Sequence, residues 1–166
     1  IAGSKVGKVI SEERLAEIFL ELQEKKANNL NLVTATHFLP LILPALEKVG
    51  LHLVAEHENL NEKQAEFVDR YFEDNVYPVL TPMAMDSSRP FPLIRNKTLN
   101  IGALISKKDK KKGKEVLVFA TVQVPSVLPR VIVIPSVKKE DTTVILLEEI
   151  IERNIGKLFL GYDVVC

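Results

Sequence analysis

The residues of this sequence that are best suited to bind a charged ligand are basic, and they lie in two stretches. The first stretch contains Arg89 and Arg95, which flank Pro90-Phe91-Pro92. The second contains the lysines Lys107, Lys108, Lys110, Lys111, Lys112 and Lys114. Arginine can bind a phosphate or carboxylate through two parallel hydrogen bonds, and clustered lysines attract polyanions. The pattern is most typical of a solvated hairpin tip, with the arginines in internal salt bridges, and the alternative is a contact for a polyanion such as polyphosphate.

The three histidines, His37, His52 and His57, are the imidazoles that could act as nucleophiles or metal ligands. His52 and His57 are not spaced as a helical i, i+4 pair, and no pair of cysteines accompanies them. We expect each histidine to be an ordinary surface or capping residue. The sequence also lacks a Gly-x-x-x-x-Gly-Lys-Ser/Thr loop and a Gly-x-Ser-x-Gly motif. We therefore predict no catalytic, cofactor-binding or metal-binding residue in this sequence.

The overall composition narrows the class of protein. The 166 residues include 22 acidic and 22 basic side chains, so a net charge of zero gives no general attraction to nucleic acids or membranes. The single cysteine, Cys166, has no intrachain partner, which favours a reducing, cytoplasmic setting. No apolar run is long enough to span a membrane, and no signal peptide is recognisable. The sequence begins at Ile1 and ends without a polar tail, so we expect both ends to continue in a longer protein.

Apolar residues at helical spacing predict two helices in the first third of the chain. Ser11 is a suitable N-cap for the first helix. Its apolar stripe consists of Leu15, Ile18, Phe19 and Leu22. The second helix lies within residues 38–49, where Pro44 should kink it or delay its start. Gly50 should end this helix in a left-handed conformation.

Two further helices are predicted later in the chain. The third begins with the capping-box pair Asn61 and Gln64. Its expected buried face consists of Ala65, Val68, Tyr71, Phe72 and Val76. The last helix covers residues 147–158 and should stop at Gly161. We assign the adjacent acids Glu148 and Glu149 to its positive end rather than to catalysis.

β-branched and apolar runs predict strands between these helices. The predicted strands cover residues 51–54, 99–105, 116–124, 131–134 and 143–146. The second and third should form a hairpin whose long loop is the lysine cluster. The prolines from Pro78 to Pro92 should hold a long extended connection before that hairpin. We predict an α+β fold, with an antiparallel or mixed sheet, helices on one of its faces, and a helical segment in front.

Residues 71–94 are the most distinctive part of the sequence. They read Tyr-Phe-Glu-Asp-Asn-Val-Tyr-Pro-Val-Leu-Thr-Pro-Met-Ala-Met-Asp-Ser-Ser-Arg-Pro-Phe-Pro-Leu-Ile. A helix ending in Tyr-Phe, then Val-Tyr-Pro-Val-Leu-Thr-Pro, an Asp, Pro-Phe-Pro and an Asn before a strand resembles the bacterial polyphosphate kinase family. Flanking segments agree in order, namely Leu43-Pro44-Ala45-Leu46, Gly50-Leu51 and Leu147 to Tyr162. The resemblance extends from about Ser11 to Val165.

The resemblance implies a domain organisation and an activity. Residues 1–35 would be the tail of an N-terminal helical domain, and residues 36–166 part of the head, or middle, domain. The family is an ATP-polyphosphate phosphotransferase that moves the terminal phosphate of ATP onto polyphosphate reversibly. It uses a phosphohistidine mechanism run by two C-terminal domains, with the histidines in His-x-Lys contexts. His37-Phe38-Leu39, His52-Leu53-Val54 and His57-Glu58-Asn59 do not match that context, so no catalytic residue is transferred.

The sequence departs from the family pattern at three other places. The family's nucleotide-contacting Asn lies in Asn-Asn-Leu-Asp-Glu-Phe, whereas Asn28-Asn29-Leu30-Asn31 continues with Leu32-Val33, so we transfer no role to it. Arg89 stands where the family often has a His before Pro-Phe-Pro. Lys97 stands where a Ser usually follows the Asn. Any role of that His in the family is therefore not expected here.

The resemblance implies a non-catalytic head segment that scaffolds dimerisation and places the catalytic domains. It implies ATP and Mg²⁺ for the parent enzyme, no cofactor for this segment, and a cytoplasmic location. The expected partners are the other domains of the enzyme, a second copy, and polyphosphate, but no nucleic acid. The alternative is a stand-alone module that binds polyphosphate or nucleic acid through the loop from Lys107 to Lys114. Such a site should gather that loop with Arg89 or Arg95, whereas a scaffold should expose an apolar patch on the first or last helix.

Overall fold

The computed structural model of the chain describes residues 7–33, 35–85, 94–108 and 115–166. Its α-helices are α1 (Glu12–Glu24), α2 (Leu39–Lys48), α3 (Glu62–Tyr71) and α4 (Leu147–Arg153). Its strands are β1 (Leu51–Val54), β2 (Pro82–Ala84), β3 (Asn100–Lys108), β4 (Glu115–Gln123), β5 (Val131–Ile134), β6 (Thr142–Leu146) and β7 (Asp163–Val164). The predicted α+β class, with a helical segment before the sheets, is confirmed.

The chain divides into two units, each with its own internal contacts. The first comprises Ile1–Leu53 and Ser136–Thr143, and the second comprises Val54–Pro135 and Val144–Cys166. The division therefore falls within β1 and within β6. Among the described residues, no helix is both long enough and apolar enough to cross a membrane.

The first unit is built on the packing of α1 against α2. Helix α1 begins as predicted, because Ser11 Oγ accepts a hydrogen bond of 3.3 Å from the Arg14 backbone N–H. Ala16 of α1 is buried, as are Ile42 and Ala45 of α2. The small side chains of Ala16 and Ala45 leave room for the two helices to pack together. Most other apolar side chains of the unit are only partly covered, which becomes important for its surface.

Helix α2 contains two prolines and still begins at Leu39. Pro40 lies in the first turn, where a backbone N–H would have no partner within the helix. Pro44 lacks the N–H that would donate to the carbonyl of Pro40, so the helix loses one hydrogen bond there. The helix nevertheless starts before Pro44, and the delayed start does not occur. Gly50 follows the helix with a φ of +82°, which confirms the predicted left-handed end.

A three-stranded sheet has the strand order β1-β6-β5. In the first unit, the Thr142 N–H donates a hydrogen bond of 2.7 Å to the Gly50 carbonyl, which aligns the starts of β6 and β1. All three strands were predicted, and β6 begins one residue earlier than expected. Strand β5 alternates between exposed and buried side chains, so one of its faces belongs to the core of the second unit.

Helix α3 begins with the predicted capping box. Asn61 Oδ1 accepts a hydrogen bond of 3.0 Å from the Gln64 N–H, and Gln64 Oε1 accepts one of 3.1 Å from the Asn61 N–H. The Gln64 side chain is buried, and its Nε2 also donates to the Pro135 carbonyl over 2.9 Å. Both polar ends of this buried amide are therefore satisfied, so its burial carries no penalty for lost hydrogen bonds.

The buried face of α3 continues past the end of the α-helix. Val68, Phe72 and Val76 are fully buried and four residues apart. The last two belong to a π-helical turn, Phe72–Val76, in which the Tyr77 N–H donates to the Phe72 carbonyl. A π-turn rotates less per residue than an α-turn, so it keeps Val76 in line with Val68 and Phe72, whereas a continuous α-helix would turn Val76 about 80° away from Val68.

The second sheet has the strand order β2-β4-β3-β7, and each neighbouring pair is antiparallel. The predicted hairpin is confirmed, and its register runs from Asn100 opposite Gln123 to Lys108 opposite Glu115. Strands β2 and β7 were not predicted. The expectation of an extended connection is wrong at Tyr77–Val79, which is a 3₁₀ turn, while β2 pairs with β4. Residues 86–93 of that connection lie outside the described residues.

The core of the second unit lies between one face of the second sheet, the buried face of α3, β5, β6 and α4. Its largest fully buried side chains are Phe72, Ile105, Ile145, Leu147, Ile150, Ile151, Val68, Val76 and Val122. All of these residues form one continuous cluster. The burial of apolar surface in this cluster is the main favourable contribution to the stability of the unit.

Helix α4 ends earlier than predicted, because Asn154 redirects the chain into a 3₁₀ turn, Ile155–Leu158. The Asn154 amide is buried and donates to the Ile150 carbonyl over 3.1 Å and to Asp69 Oδ1 over 3.3 Å. Arg153 donates to both oxygens of Asp69, over 2.8 and 3.1 Å. These bonds join α3 and α4 at the edge of the core.

Replacing Ile150 by Ala should test the contribution of the core. Because Ile150 is fully buried, we expect Ile150→Ala to lower the free energy of unfolding by about 2–5 kcal/mol. The matched control is Ile94→Ala, at a position where the side chain is 46 % exposed, with an expected change within about 0.5 kcal/mol. Urea unfolding followed by circular dichroism measures both changes. Equal effects at the two positions would contradict the assigned core.

The Asp69–Arg153 pair should make stability depend on pH. Hydrogen bonds from Arg153 lower the pKa of Asp69 below its ordinary value, against the opposing effect of burial. The contribution of the ion pair to the free energy of unfolding is therefore complete above the unfolded-state pKa of Asp, about 3.9. It is lost as the pH falls through the lower folded-state pKa of Asp69. Asp69→Asn should cost about 1 kcal/mol near neutral pH, since water screens this partly exposed pair.

Urea unfolding at several pH values measures this effect. The stabilities of the original protein and of Asp69→Asn should converge as the pH falls below the unfolded-state pKa of about 3.9. Glu66→Gln removes a much more exposed pair with Arg70 and should change the unfolding free energy by less than about 0.5 kcal/mol. If the difference in unfolding free energy between Asp69→Asn and the original protein stayed constant as the pH is lowered, the assignment to this ion pair would be contradicted.

Candidate functional site

The β3–β4 hairpin positions the predicted lysine cluster. Lys107 and Lys108 are the last two residues of β3, and Glu115 begins β4 directly opposite Lys108. The hairpin register therefore places residues 109–114 in the connection between the two strands. Lys110, Lys111, Lys112 and Lys114, the Lys108 side chain, and Arg89 lie outside what the structure describes. The predicted polyanion contact thus remains a prediction for these residues.

Lys107 is the member of the cluster whose side chain is described, and it is exposed. Its Nζ lies 5.0 Å from the centre of the Tyr162 ring. A cation over an aromatic face gains about 0.5–1 kcal/mol at an exposed site, so the ring orients the lysine without neutralising it. The charge of Lys107 is therefore available to an anion at this end of the hairpin.

Arg95 lies before the other end of β3. It is exposed, and its carbonyl accepts a hydrogen bond of 2.7 Å from the Thr98 hydroxyl. Strand β3 has nine residues, and at roughly 3.3 Å per residue its ends are about 26 Å apart. Arg95 and Lys107 therefore flank opposite ends of the strand. A single small anion does not bridge such a distance, whereas an extended polymer can.

Other basic residues of the second unit are paired with carboxylates. Arg130 Nε donates to Glu148 Oε1 over 3.0 Å, and Lys157 Nζ donates to Glu73 over 2.7 Å. Burial alone would raise the pKa of Glu148, but the hydrogen bond and charge of Arg130 hold it below its ordinary value. Such pairs, like Arg153 with Asp69, contribute to structure rather than to an anion site.

A second group of polar side chains surrounds His57. This residue begins a 3₁₀ turn, His57–Asn59, that contacts α4. Its backbone N–H donates to Glu149 Oε2 over 3.0 Å, and its ring Nδ1 lies 3.2 Å from the same oxygen. The other ring nitrogen, Nε2, lies 3.4 Å from Glu58 Oε1. Both ring nitrogens therefore face a carboxylate.

Glu152 completes this group from the next turn of α4. One ring nitrogen of His57 and one carboxylate oxygen each of Glu149 and Glu152 all lie within 4.8 Å of one another. Burial, together with the negative charge of Glu149, raises the pKa of Glu152 above its ordinary value. Glu148 and Glu58 act in the same direction, and His57 opposes them. The group therefore concentrates negative charge around one imidazole.

The other two histidines have different surroundings. In the first unit, His52 Nε2 lies 2.8 Å from Asp141 Oδ2, which ties β1 to the segment before β6. His37 lies in a 3₁₀ turn, Ala35–Phe38, before α2. Sequence reasoning missed the carboxylate partners of His52 and His57 because those partners are 89 and 92 residues away.

The first unit carries an open apolar groove of about 940 Å³ beside α1 and α2. Its apolar lining residues include Val9, Ile10, Leu15, Val33, Phe38 and Leu41. Of these, Val9 is 97 % exposed, Val33 83 % and Phe38 59 %. Soluble proteins leave large apolar patches uncovered mainly where another protein surface or a ligand binds. The apolar patch expected of a scaffold is therefore present, and it lies at the first helix.

The helices of the first unit and the two sheets define an α+β protein module. Its surface features are the basic β3–β4 hairpin and the apolar groove beside α1 and α2. Comparison with family models then identifies the family. Residues 63–166 match the model described as the polyphosphate kinase middle domain. The chain belongs to the polyphosphate kinase family, as the resemblance of residues 71–94 had indicated.

Individual relatives agree with this assignment. A polyphosphate kinase of Lactiplantibacillus plantarum is 51 % identical over 123 residues, covering 74 % of this chain and 16 % of that protein. A polyphosphate kinase of Bacillus anthracis is 40 % identical over 139 residues, covering 84 % of this chain and 20 % of that protein. The chain therefore spans about a fifth or less of the length of these relatives.

A solved structure shows the same fold. The crystal structure of a polyphosphate kinase from Porphyromonas gingivalis covers 93 % of this chain with a TM-score of 0.68. The chain corresponds to 23 % of that protein, and the two sequences are 22 % identical. The arrangement of helices and sheets described above therefore occurs within a larger polyphosphate kinase chain.

Proposed function

We propose that this chain is a non-catalytic middle segment of a polyphosphate kinase and that its role is architectural. The observation that carries this proposal is the match of residues 63–166 to the family's middle domain. The whole enzyme would transfer the terminal phosphate of ATP reversibly to polyphosphate. This segment would support association of the subunits and hold the catalytic domains in place.

The chemistry itself is assigned to other parts of the enzyme. Phosphoryl transfer needs groups that hold the phosphates, a metal ion and a positioned nucleophile. The three histidines of this chain do not stand in the His-x-Lys context of the family's catalytic residues. ATP and Mg²⁺ would therefore bind domains outside this segment. A cytoplasmic location follows in the same proposal, because the enzyme uses ATP.

The apolar groove of the first unit supports the architectural role. It is lined by highly exposed side chains, including Val9, Val33 and Phe38, which would lose unfavourable contact with water on association. We assign this groove to contact with polypeptide of the same enzyme, supplied by a second copy in the self-associated form. The lysine loop is not needed for this role.

Self-association should respond to substitutions in the groove. We expect the 166-residue chain to sediment as a dimer or larger species at micromolar concentration, and the double variant Phe38→Ser/Leu41→Ser to shift it towards monomer. The matched control, Val131→Ser/Val133→Ser, removes two similarly exposed side chains of β5. Sedimentation velocity measures the distribution. A monomeric original protein, or a groove variant that associates as strongly as the control, would contradict the proposed role in association.

A second candidate function is favoured by the exposed charge of Lys107 near the end of β3, which forms no ion pair with any residue that the structure describes. In this proposal, the loop contacts polyphosphate along its path to the catalytic domains. Arg95 would take part only with long chains, because it precedes Asn100, and Asn100 lies about 23 Å along β3 from Lys107. The dependence of affinity on the length of the polyphosphate therefore distinguishes a polymer-binding surface from a site for a small anion.

Binding of labelled long polyphosphate, at low and at physiological salt, tests the second candidate. We expect affinity that falls steeply with salt, since binding releases counterions, and that weakens about tenfold or more in Lys107→Gln/Lys108→Gln. Lys138→Gln/Lys139→Gln changes the same charge in the other unit and should change affinity less than about twofold. Tripolyphosphate should bind much more weakly than the polymer. If neither salt condition gives binding, the lysine loop is a solubilising hairpin tip.

A further inference from the structure

The group around His57 has the donor atoms of a metal site. It combines one imidazole with the carboxylates of Glu149 and Glu152, and these donors come within 4.8 Å of one another. Imidazole nitrogen and carboxylate oxygen are ligands of Zn²⁺ and related transition-metal ions. Mg²⁺ prefers an all-oxygen environment and keeps several waters. The donor set therefore differs from that expected for the magnesium ion of phosphoryl transfer.

Within the part of the chain that the structure describes, no Lys or Arg pairs with the carboxylates around His57. Elsewhere in the same unit, Asp69 is paired with Arg153, Glu148 with Arg130, and Glu73 with Lys157. Within the described residues, Glu149 and Glu58 have His57 as their ion-pair partner, and Glu152 forms no ion pair. Three carboxylates thus share one imidazole, which carries at most a single positive charge. A divalent cation would balance this excess.

We propose that His57, Glu149 and Glu152 bind one divalent transition-metal ion, with Zn²⁺ as the best-suited candidate. The ion would be held by His57 Nδ1, the ring nitrogen that lies beside Glu149, and by one oxygen of each glutamate. Water would complete a four-coordinate shell. This site is independent of the architectural function proposed above.

The geometry requires little rearrangement. Ligand atoms bound tetrahedrally at about 2.1 Å from a metal lie about 3.4 Å apart. The Nδ1 to Glu149 Oε2 distance of 3.2 Å already fits this value. The limit of 4.8 Å within the group leaves a contraction of at most about 1.4 Å, which rotation of the Glu152 side chain about its own bonds can supply. Glu152 is free to make this rotation, because it is exposed and its side chain forms no hydrogen bond among the described residues.

The surroundings of the group would orient its ligands. When Nδ1 of a histidine binds a metal, the proton lies on Nε2, and such an N–H is commonly held by a carboxylate. Glu58 Oε1 lies 3.4 Å from His57 Nε2 and can take this role. The backbone N–H of His57 donates to Glu149 Oε2 and holds that carboxylate in place. Glu58 is therefore a positioning residue in this proposal.

A bound ion would connect segments that are distant in the sequence. His57 lies in the 3₁₀ turn before α3, whereas Glu149 and Glu152 lie on α4, about 90 residues later in the chain. The carboxylates of Glu149 and Glu152 lie within 4.8 Å of one another and repel each other, and a cation would relieve this repulsion. The expected consequence is a more stable contact between the turn and α4 when the metal is present.

Calorimetric titration of the chelator-treated 166-residue chain with Zn²⁺ tests the site. We expect one ion per chain, bound with micromolar affinity, and a loss of about tenfold or more in Glu152→Gln. This variant is preferred because Glu152 makes no hydrogen bond that the fold would lose. Two matched controls should change affinity less than about twofold, namely Glu73→Gln, a carboxylate paired with Lys157, and His37→Asn, an imidazole of the first unit.

A second measurement identifies the histidine directly. On addition of Zn²⁺, the imidazole resonances of His57 should shift in NMR spectra, while those of His37 and His52 stay in place. Absence of Zn²⁺ binding, binding that Glu152→Gln leaves unchanged, or resonances that shift only at another histidine would each overturn the proposal. Mg²⁺ binding as tight as Zn²⁺ binding would also overturn it, because it would mean that the imidazole is not a ligand.

Discussion

The structure of the second unit depends on the burial of one helical face, formed by Val68, Phe72 and Val76. This face meets one side of the second sheet and the apolar residues of α4 in a single cluster. Apolar burial of this kind has no direction, so it holds the layers together without fixing their angular alignment. The alignment comes from polar contacts at the margins of the cluster, notably the bidentate bond between Arg153 and Asp69. The basic hairpin and the His57 group are both carried by elements of this cluster.

The two units combine apolar and charged surfaces in different ways. The first unit buries few side chains and leaves an apolar groove, lined by Val9, Val33 and Phe38, beside its two helices. The second unit closes a full core and presents charge at its surface, positive at Lys107 and negative around His57. The first arrangement suits contact with more polypeptide, and the second suits contact with ions.

Local signals predicted most of the elements, because they act over a few residues. The N-cap at Ser11, the capping box of Asn61 and Gln64, and the left-handed Gly50 follow from neighbouring side chains and backbone, and all are present. Strands β2 and β7 were missed because they have only three and two residues, too few for a periodic pattern. The start of α2 was also misjudged, because the cost of Pro44 depends on its position within the helix.

The candidate sites were harder to predict than the fold. The lysine cluster could be recognised from the sequence. Its separation from Arg95 became clear only from the length of β3, which lies between them. The partners of His57 are side chains of a helix that lies 92 residues later, so no local spacing could reveal them. Glu149 was instead assigned to the positive end of α4, which explains a glutamate there equally well from sequence alone. Long-range pairing of this kind is visible only once the fold is known.

The π-helical turn at Phe72–Val76 has a consequence for how this region can vary in length. A π-turn is equivalent to an α-helix that has accepted one additional residue without breaking. Removing one residue from this turn would leave a regular α-helix but rotate everything after it by about 100°, the angle of one α-helical residue. The Tyr77–Val79 turn and β2 would then leave the helix in a different direction. The length of this single turn therefore sets the path by which the chain enters the second sheet.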